Sequence, residues 1–76
     1  MNQSVIRCIL SNREQTRFYN GSTWGTKRID SAREFFDKEE AVYWRDHAFS
    51  KFHKETFNTL LTVEINTTVR EIKFLD

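Results

Sequence analysis

The sequence predicts a small α+β domain in which one long helix packs on one face of a three- to four-stranded antiparallel sheet. The stretch from Asp37 to Phe52 has the apolar spacing of an amphipathic helix. Short runs of β-branched and apolar residues lie on both sides of it. The chain has 76 residues, two glycines and no proline, so residues 1–76 are expected to form a single domain without a linker. The expected element order is ββαβ or ββαββ.

The first half of the chain is predicted to begin with a hairpin. Residues 4–10 form the first strand, and residues 15–19 form the return strand, with Phe18 directed at the core. Asn20-Gly21 is a strong turn signal. The next residues either extend the sheet or, as we expect from their polar character, form a loop to about Asp30. The strand at 15–19 has few charges to block its edge, which makes it the expected site of self-association or of edge-on docking to the partner.

The central helix is predicted to span residues 38–52. Asp37 is suited to cap its first turn, and Glu40 completes a capping box. Arg45 falls near the apolar face, where it either extends past the sheet edge into water, pairs with a carboxylate inside the protein, or contacts a partner. The apolar stripe that should face the sheet contains Ala41, Trp44, Ala48 and Phe52.

Two strands are predicted after the helix. In the first, at residues 60–65, Leu61, Val63 and Ile65 alternate toward the core. The second runs from Val69 to Leu75. Together with residues 4–10 and 15–19, these segments supply the expected sheet.

The residue pattern points away from catalysis and from bound metals or cofactors. His47 and His53 are six residues apart, a spacing that places them on different sides of a helix. Cys8 is the only cysteine, so no disulfide is expected. Neither glycine belongs to a phosphate-binding loop. The start of the chain lacks the features of a signal peptide or a membrane helix, and a cytoplasmic, non-enzymatic protein is expected.

The charge is nearly balanced overall but unevenly distributed. The formal net charge is +1. Residues 1–28 contain five basic residues and one acidic residue, for +4, and the rest contains seven basic and ten acidic residues, for −3.

A basic–aromatic group in the first part is the candidate partner-binding site: Arg13, Arg17, Tyr19, Trp24, Lys27 and Arg28. Such side chains either stack on and neutralise nucleic acid or anchor a protein partner. Alternatively, Trp24 packs over the core beside Phe36.

The layout resembles small proteins encoded by bacteriophages and mobile elements. The matching features are Tyr19-Asn20-Gly21 followed by Trp24, the segment Ala32-Arg33-Glu34-Phe35, the helix start Asp37-Lys38-Glu39-Glu40-Ala41 and a terminal strand rich in Val, Glu and Ile. The resemblance implies a viral protein that binds host machinery in the host cytoplasm, such as an inhibitor of a polymerase, a nuclease or a CRISPR complex. Many such inhibitors are strongly acidic and this chain is not, so DNA mimicry is not expected.

Three functions therefore remain open from the sequence. The first is a non-catalytic, phage-type protein that inhibits or modulates a host protein or ribonucleoprotein complex. The second is a small nucleic-acid-binding protein that uses the same basic–aromatic residues. The third is a structural module that forms a homodimer through a free sheet edge.

Overall fold

In the part of the chain that the structure describes, three antiparallel strands form one sheet, in the order β1-β2-β3. The structure, a computed structural model, describes residues 3–75. β1 (Ser4–Ser11) pairs with β2 (Thr59–Asn66) along its whole length, and β3 (Ile72–Phe74) pairs with the other side of β2. The predicted α+β class with a three-stranded antiparallel sheet is confirmed.

The helical part is shorter and less regular than predicted. α1 (Lys38–Tyr43) continues into a π-helical turn at Trp44–Ala48, and α2 (Lys51–Thr56) follows after a break. At the predicted start, Asp37 Oδ1 accepts a hydrogen bond from Glu40 N at 2.9 Å. At the break, Phe49 is extended, and the Ser50 hydroxyl accepts a hydrogen bond from His53 N to begin α2.

The predicted return strand at 15–19 is not a strand. The backbone of Phe18 instead exchanges hydrogen bonds with Thr26, at 2.8 and 2.9 Å. Tyr19 N donates to Leu10 O at the outer edge of β1. Asn12 holds the intervening turn, because its Oδ1 accepts hydrogen bonds from Thr16 N and Arg17 N. The element order is therefore β1-α1-α2-β2-β3, and the expected free edge at 15–19 is closed at Phe18 and Tyr19.

The sheet separates two groups of buried side chains. On the face under α1, the buried residues are Cys8, Leu10, Tyr19, Phe35, Ala41 and Phe57. On the opposite face, segments of the 12–36 region cover the strands, and the buried residues are Ile9, Phe18, Ala32, Leu61, Val63 and Ile65. The inward alternation predicted for β2 and the burial of Phe18 are confirmed.

Part of the predicted apolar stripe of the helix is wrong. Ala41 is fully buried, and Trp44 is half-buried against Phe35, with ring centroids 5.8 Å apart. Ala48 and Phe52, however, are exposed. The π-helical turn has more residues per turn than an α-helix, and the break at Phe49 starts a new helix. The side chains after Trp44 therefore do not face the direction that a continuous helix predicts.

Arg45 leaves the apolar face by bonding to neighbouring oxygen atoms. Its Nε lies 3.2 Å from Asp46 Oδ1, and its Nη1 donates to Asn58 O at 3.3 Å. The second bond ties the π-helical turn to the connection that leads into β2. The carboxylate that pairs with Arg45 belongs to the exposed Asp46, so the pairing with an interior carboxylate that the sequence left open is not observed.

Candidate binding surface

Trp24 lies on the surface, with 68% of its area exposed. Its ring meets the ring of Phe52 edge to face, with centroids 5.6 Å apart, and Phe52 is itself 41% exposed. The alternative position for Trp24, over the core beside Phe36, is therefore wrong. Trp24 and Phe52 form one aromatic surface, which we call the Trp24–Phe52 surface.

The loop that carries Trp24 is held by hydrogen bonds from its own side chains. Asn20 Oδ1 accepts from both the backbone N and the hydroxyl of Ser22. The Ser22 hydroxyl in turn accepts from Gly25 N at 3.1 Å. Immediately after the loop, Thr26 pairs with Phe18. These bonds fix both ends of the segment, so Trp24 is presented on an ordered turn.

Tyr19 was predicted to be part of the site, but the structure places it in the core. It is 7% exposed, and its ring packs on Phe49 with centroids 4.4 Å apart. The rings of His53 and Phe57 complete its surroundings. The Tyr19 ring is therefore covered from outside, and we remove it from the candidate surface.

Arg17 is the predicted basic residue that directly contacts the tryptophan. Its guanidinium Nη1 donates to Trp24 O at 3.5 Å, and the residue is only half-buried. Arg13 and Lys27 are exposed, and no ion pair involves either of them within residues 3–75. Arg13 lies in the turn before Arg17, whereas Lys27 follows the Phe18–Thr26 bridge. Among these three cations, Arg17 is the one whose side chain bonds to Trp24, through the backbone oxygen of that residue.

Arg28 is not a free cation, because it pairs with Asp30. Its Nε and Nη2 donate to the two carboxylate oxygens of Asp30 at 3.2 and 3.0 Å. This bidentate contact lowers the pKa of Asp30 below its ordinary value, chiefly through the side-chain hydrogen bond. Since the two charges largely cancel, Arg28 adds little to the basic character of the surface.

Sequence reasoning missed Phe52 as a surface residue, and it also missed the exposure of Phe36. Phe36 is 67% exposed, with the guanidinium of Arg7 5.2 Å from its ring centre. Tyr43 is 60% exposed beside His47. The exposure of Phe36 could have been anticipated, because side chains alternate between the two sides of an extended segment and Phe35 is the buried one. Ser50, a residue type typical of N-caps, is the signal in the sequence that marks the restart of the helix and the exposure of Phe52.

The described residues contain no arrangement typical of a metal site. Among residues 3–75, no group of three or more His, Cys, Asp or Glu side chains is placed to hold a metal ion. A polar depression of 140 Å³, lined by Ser4, Glu64, Asn66, Glu71 and Lys73, lies on the sheet beside β3.

In the described part of the chain, none of the helices has the length and apolar character needed to cross a membrane. Comparison with protein-family models, with curated proteins and with solved structures finds no match to this chain.

Proposed function

We propose that this chain is a non-catalytic binding protein that holds a macromolecular partner at the Trp24–Phe52 surface. The observation that carries the proposal is the exposure of Trp24 on an ordered turn, next to a second exposed ring. In a domain with a small core, a large aromatic side chain left outside that core forgoes the stabilisation that burial would give. A partner that covers the ring supplies that burial.

The composition and order of the surface suit recognition of a protein. Tryptophan and arginine are enriched among the residues that dominate binding energy at protein interfaces. Here Arg17 lies against the backbone of Trp24, and Phe52 supports the indole ring from the side. Because side-chain hydrogen bonds already order the loop, binding would cost little additional conformational entropy. A protein, or the protein part of a ribonucleoprotein complex, is the partner we favour.

The resemblance to phage-encoded proteins suggests what such binding would achieve. We propose that the partner is part of a host machine, such as a polymerase, a defence nuclease or a CRISPR complex, and that binding inhibits or modulates it in the host cytoplasm. This step rests on the overall layout of the sequence. The identification of the surface rests on the contacts of Trp24, Phe52 and Arg17 and is independent of it.

A second candidate function is the binding of single-stranded nucleic acid. The observation that favours it is the bond of Arg17 to the backbone of Trp24, the residue that carries the exposed indole, because bases stack on aromatic rings while cations neutralise the phosphates. Arg13 and Lys27 would add charge along the strand. The net charge of +1 gives no general affinity for nucleic acid, so binding would depend on this surface.

Capture from a bacterial lysate by the wild type and two variants tests the proposal. Trp24→Ala removes the exposed ring, and Tyr43→Ala is the matched control, since Tyr43 is an exposed aromatic residue on α1. We expect Trp24→Ala to lose the captured species while Tyr43→Ala retains it. Equal capture by all three proteins would contradict the proposed surface.

Salt dependence then distinguishes the two partner classes. If the captured species is nucleic acid, its affinity should fall steeply with salt, because each neutralised phosphate releases counterions. If it is a protein held by the aromatic rings, salt should change mainly the association rate. The eluate is analysed for both protein and nucleic acid, so each outcome identifies one class.

A further inference from the structure

The outer edge of β1 is covered from Cys8 to Leu10, whereas the edge formed by β3 is open among the described residues. At the outer edge of β1, Cys8 and Phe35 exchange backbone hydrogen bonds at 2.9 and 2.7 Å, and Leu10 O accepts from Tyr19 N. β3 forms the opposite edge, and no strand lies beyond it among the described residues. Another strand can therefore extend the sheet at β3 without displacing a segment that already pairs there.

The hydrogen bonds of β3 with β2 show which backbone groups face outward. Glu71 O accepts from Asn66 N, and Leu75 N donates to Thr62 O. In an antiparallel ladder, alternate residues direct their backbone groups to the same neighbour. Glu71, Lys73 and Leu75 therefore face β2, whereas Ile72 and Phe74 present N–H and C=O groups to the open side. Phe74 is 46% exposed.

We propose that a second copy of this chain pairs antiparallel with β3, with the two-fold axis between the two Ile72 residues. In this arrangement Ile72 of each copy bonds to Ile72 of the other. Glu71 lies opposite Lys73 of the second copy, and Lys73 lies opposite its Glu71. Both side chains are exposed, and neither forms an ion pair within residues 3–75. The edge is thus complementary in charge to itself.

Charge also selects this alignment over the neighbouring one. An axis at Lys73 would place the two Lys73 side chains directly opposite each other, and like charges in that position are destabilising. The axis at Ile72 replaces this repulsion with two attractive cross-strand pairs. The ladder ends at Glu71, because Arg70 has a φ of 57°, outside the extended region. Such a short ladder forms a dimer that dissociates on dilution.

Two charge reversals test the alignment. Glu71→Lys and Lys73→Glu each turn both cross-strand pairs into repulsions, so either variant alone should self-associate about tenfold more weakly than the wild type. An equimolar mixture should associate at least as tightly as the wild type, because every pair between the two variants is then a Lys opposite a Glu. Glu39→Lys, a reversal at an exposed residue of α1, is the matched control and should associate like the wild type.

Sedimentation equilibrium over a concentration series measures association, and circular dichroism confirms that each variant is folded. Recovery in the mixture supports the proposal, because a loss caused by misfolding would not be restored by mixing. A wild type that stays monomeric at the highest concentration overturns the proposal. So does a Glu71→Lys variant that associates normally, since the axis would then not lie at Ile72. A mixture that fails to recover overturns it as well.

Discussion

A methyl group on the Cα atom of Gly25 would lie 2.6 Å from Cζ of Phe57 and 2.5 Å from the carbonyl oxygen of Phe18. Phe57 is fully buried, and Gly25 follows directly after the exposed Trp24. The absence of a side chain at Gly25 lets the backbone of the loop rest on the core. The presentation of Trp24 on the surface therefore depends on how closely Gly25 approaches Phe57.

Gly25→Ala should destabilise the protein strongly. Overpacking of a well-packed site costs about 1–3 kcal/mol, and the positive φ of 69° at Gly25 adds a conformational penalty. Gly21→Ala is the matched control, because its φ is also positive, at 99°, but nothing lies within 4 Å of its added methyl group. Chemical denaturation should show the larger loss for Gly25→Ala, and equal losses would contradict the close approach.

Trp44→Ala should lower the free energy of unfolding by roughly 3 kcal/mol, the loss typical of large-to-small substitutions in a core. Trp44 packs on Phe35, and the guanidinium of Arg33 lies 4.3 Å from the centre of its ring. Trp24→Ala should change stability by no more than about 0.5 kcal/mol, since Trp24 is an exposed residue. Thermal melts of the two variants check this, and an unchanged melting temperature for Trp44→Ala would show that Trp44 is not core.

His53→Phe should raise the melting temperature. Nε2 of His53 is buried without a hydrogen-bond partner in the described chain, and aromatic rings surround it, including Tyr19 at 5.4 Å and Phe49 at 5.7 Å. An unsatisfied buried polar atom costs about 1–3 kcal/mol, and a phenyl ring removes it at similar volume. His47→Phe, at an exposed position, should leave the melt nearly unchanged. A lower melting temperature for His53→Phe would indicate that the nitrogen is paired.

Arg28→Ala should return the pKa of Asp30 toward its ordinary value. The side-chain hydrogen bonds of Arg28 lower that pKa, so any stability from the pair is present above the pKa of Asp30 in the unfolded chain. It is lost as the pH falls through the lower pKa of the folded state. An NMR titration of Asp30 should show the rise in Arg28→Ala and not in Arg13→Ala. A titration unchanged by Arg28→Ala would contradict the pairing.

The strands and the start of the helix could be predicted because their signals are local. Leu61, Val63 and Ile65 alternate in sequence, and Asp37 caps a helix through the backbone N–H three residues ahead. The pairing of β1 with β2 could not be predicted in the same way. It joins residues such as Ser4 and Asn66 that are far apart in the chain, whereas short-range turn signals favoured a hairpin with 15–19.

The candidate surface was predicted only in part. Trp24 and Arg17 lie together as their closeness in sequence suggested, but whether an aromatic residue points inward is decided by tertiary packing. Tyr19 turned inward because Phe49 and Phe57 cover it. Phe52 turned outward because the helix restarts at Ser50, a change in geometry that the apolar pattern across residues 41–52 does not reveal.

The burial of four successive residues of β1, from Cys8 to Ser11, has a consequence for misfolding. A shift of the strand by one residue would exchange Ile9 and Leu10 between the two faces, and both faces accept an aliphatic side chain. Hydrophobic burial alone therefore does not disfavour a pairing of β1 with β2 that is shifted by one residue. Backbone bonds to neighbouring segments oppose the shift: Cys8 with Phe35, Leu10 O with Tyr19 N, and Gln3 O with Thr67 N at 2.9 Å. Substitutions that loosen these neighbouring segments should open the way to mispaired chains and aggregation.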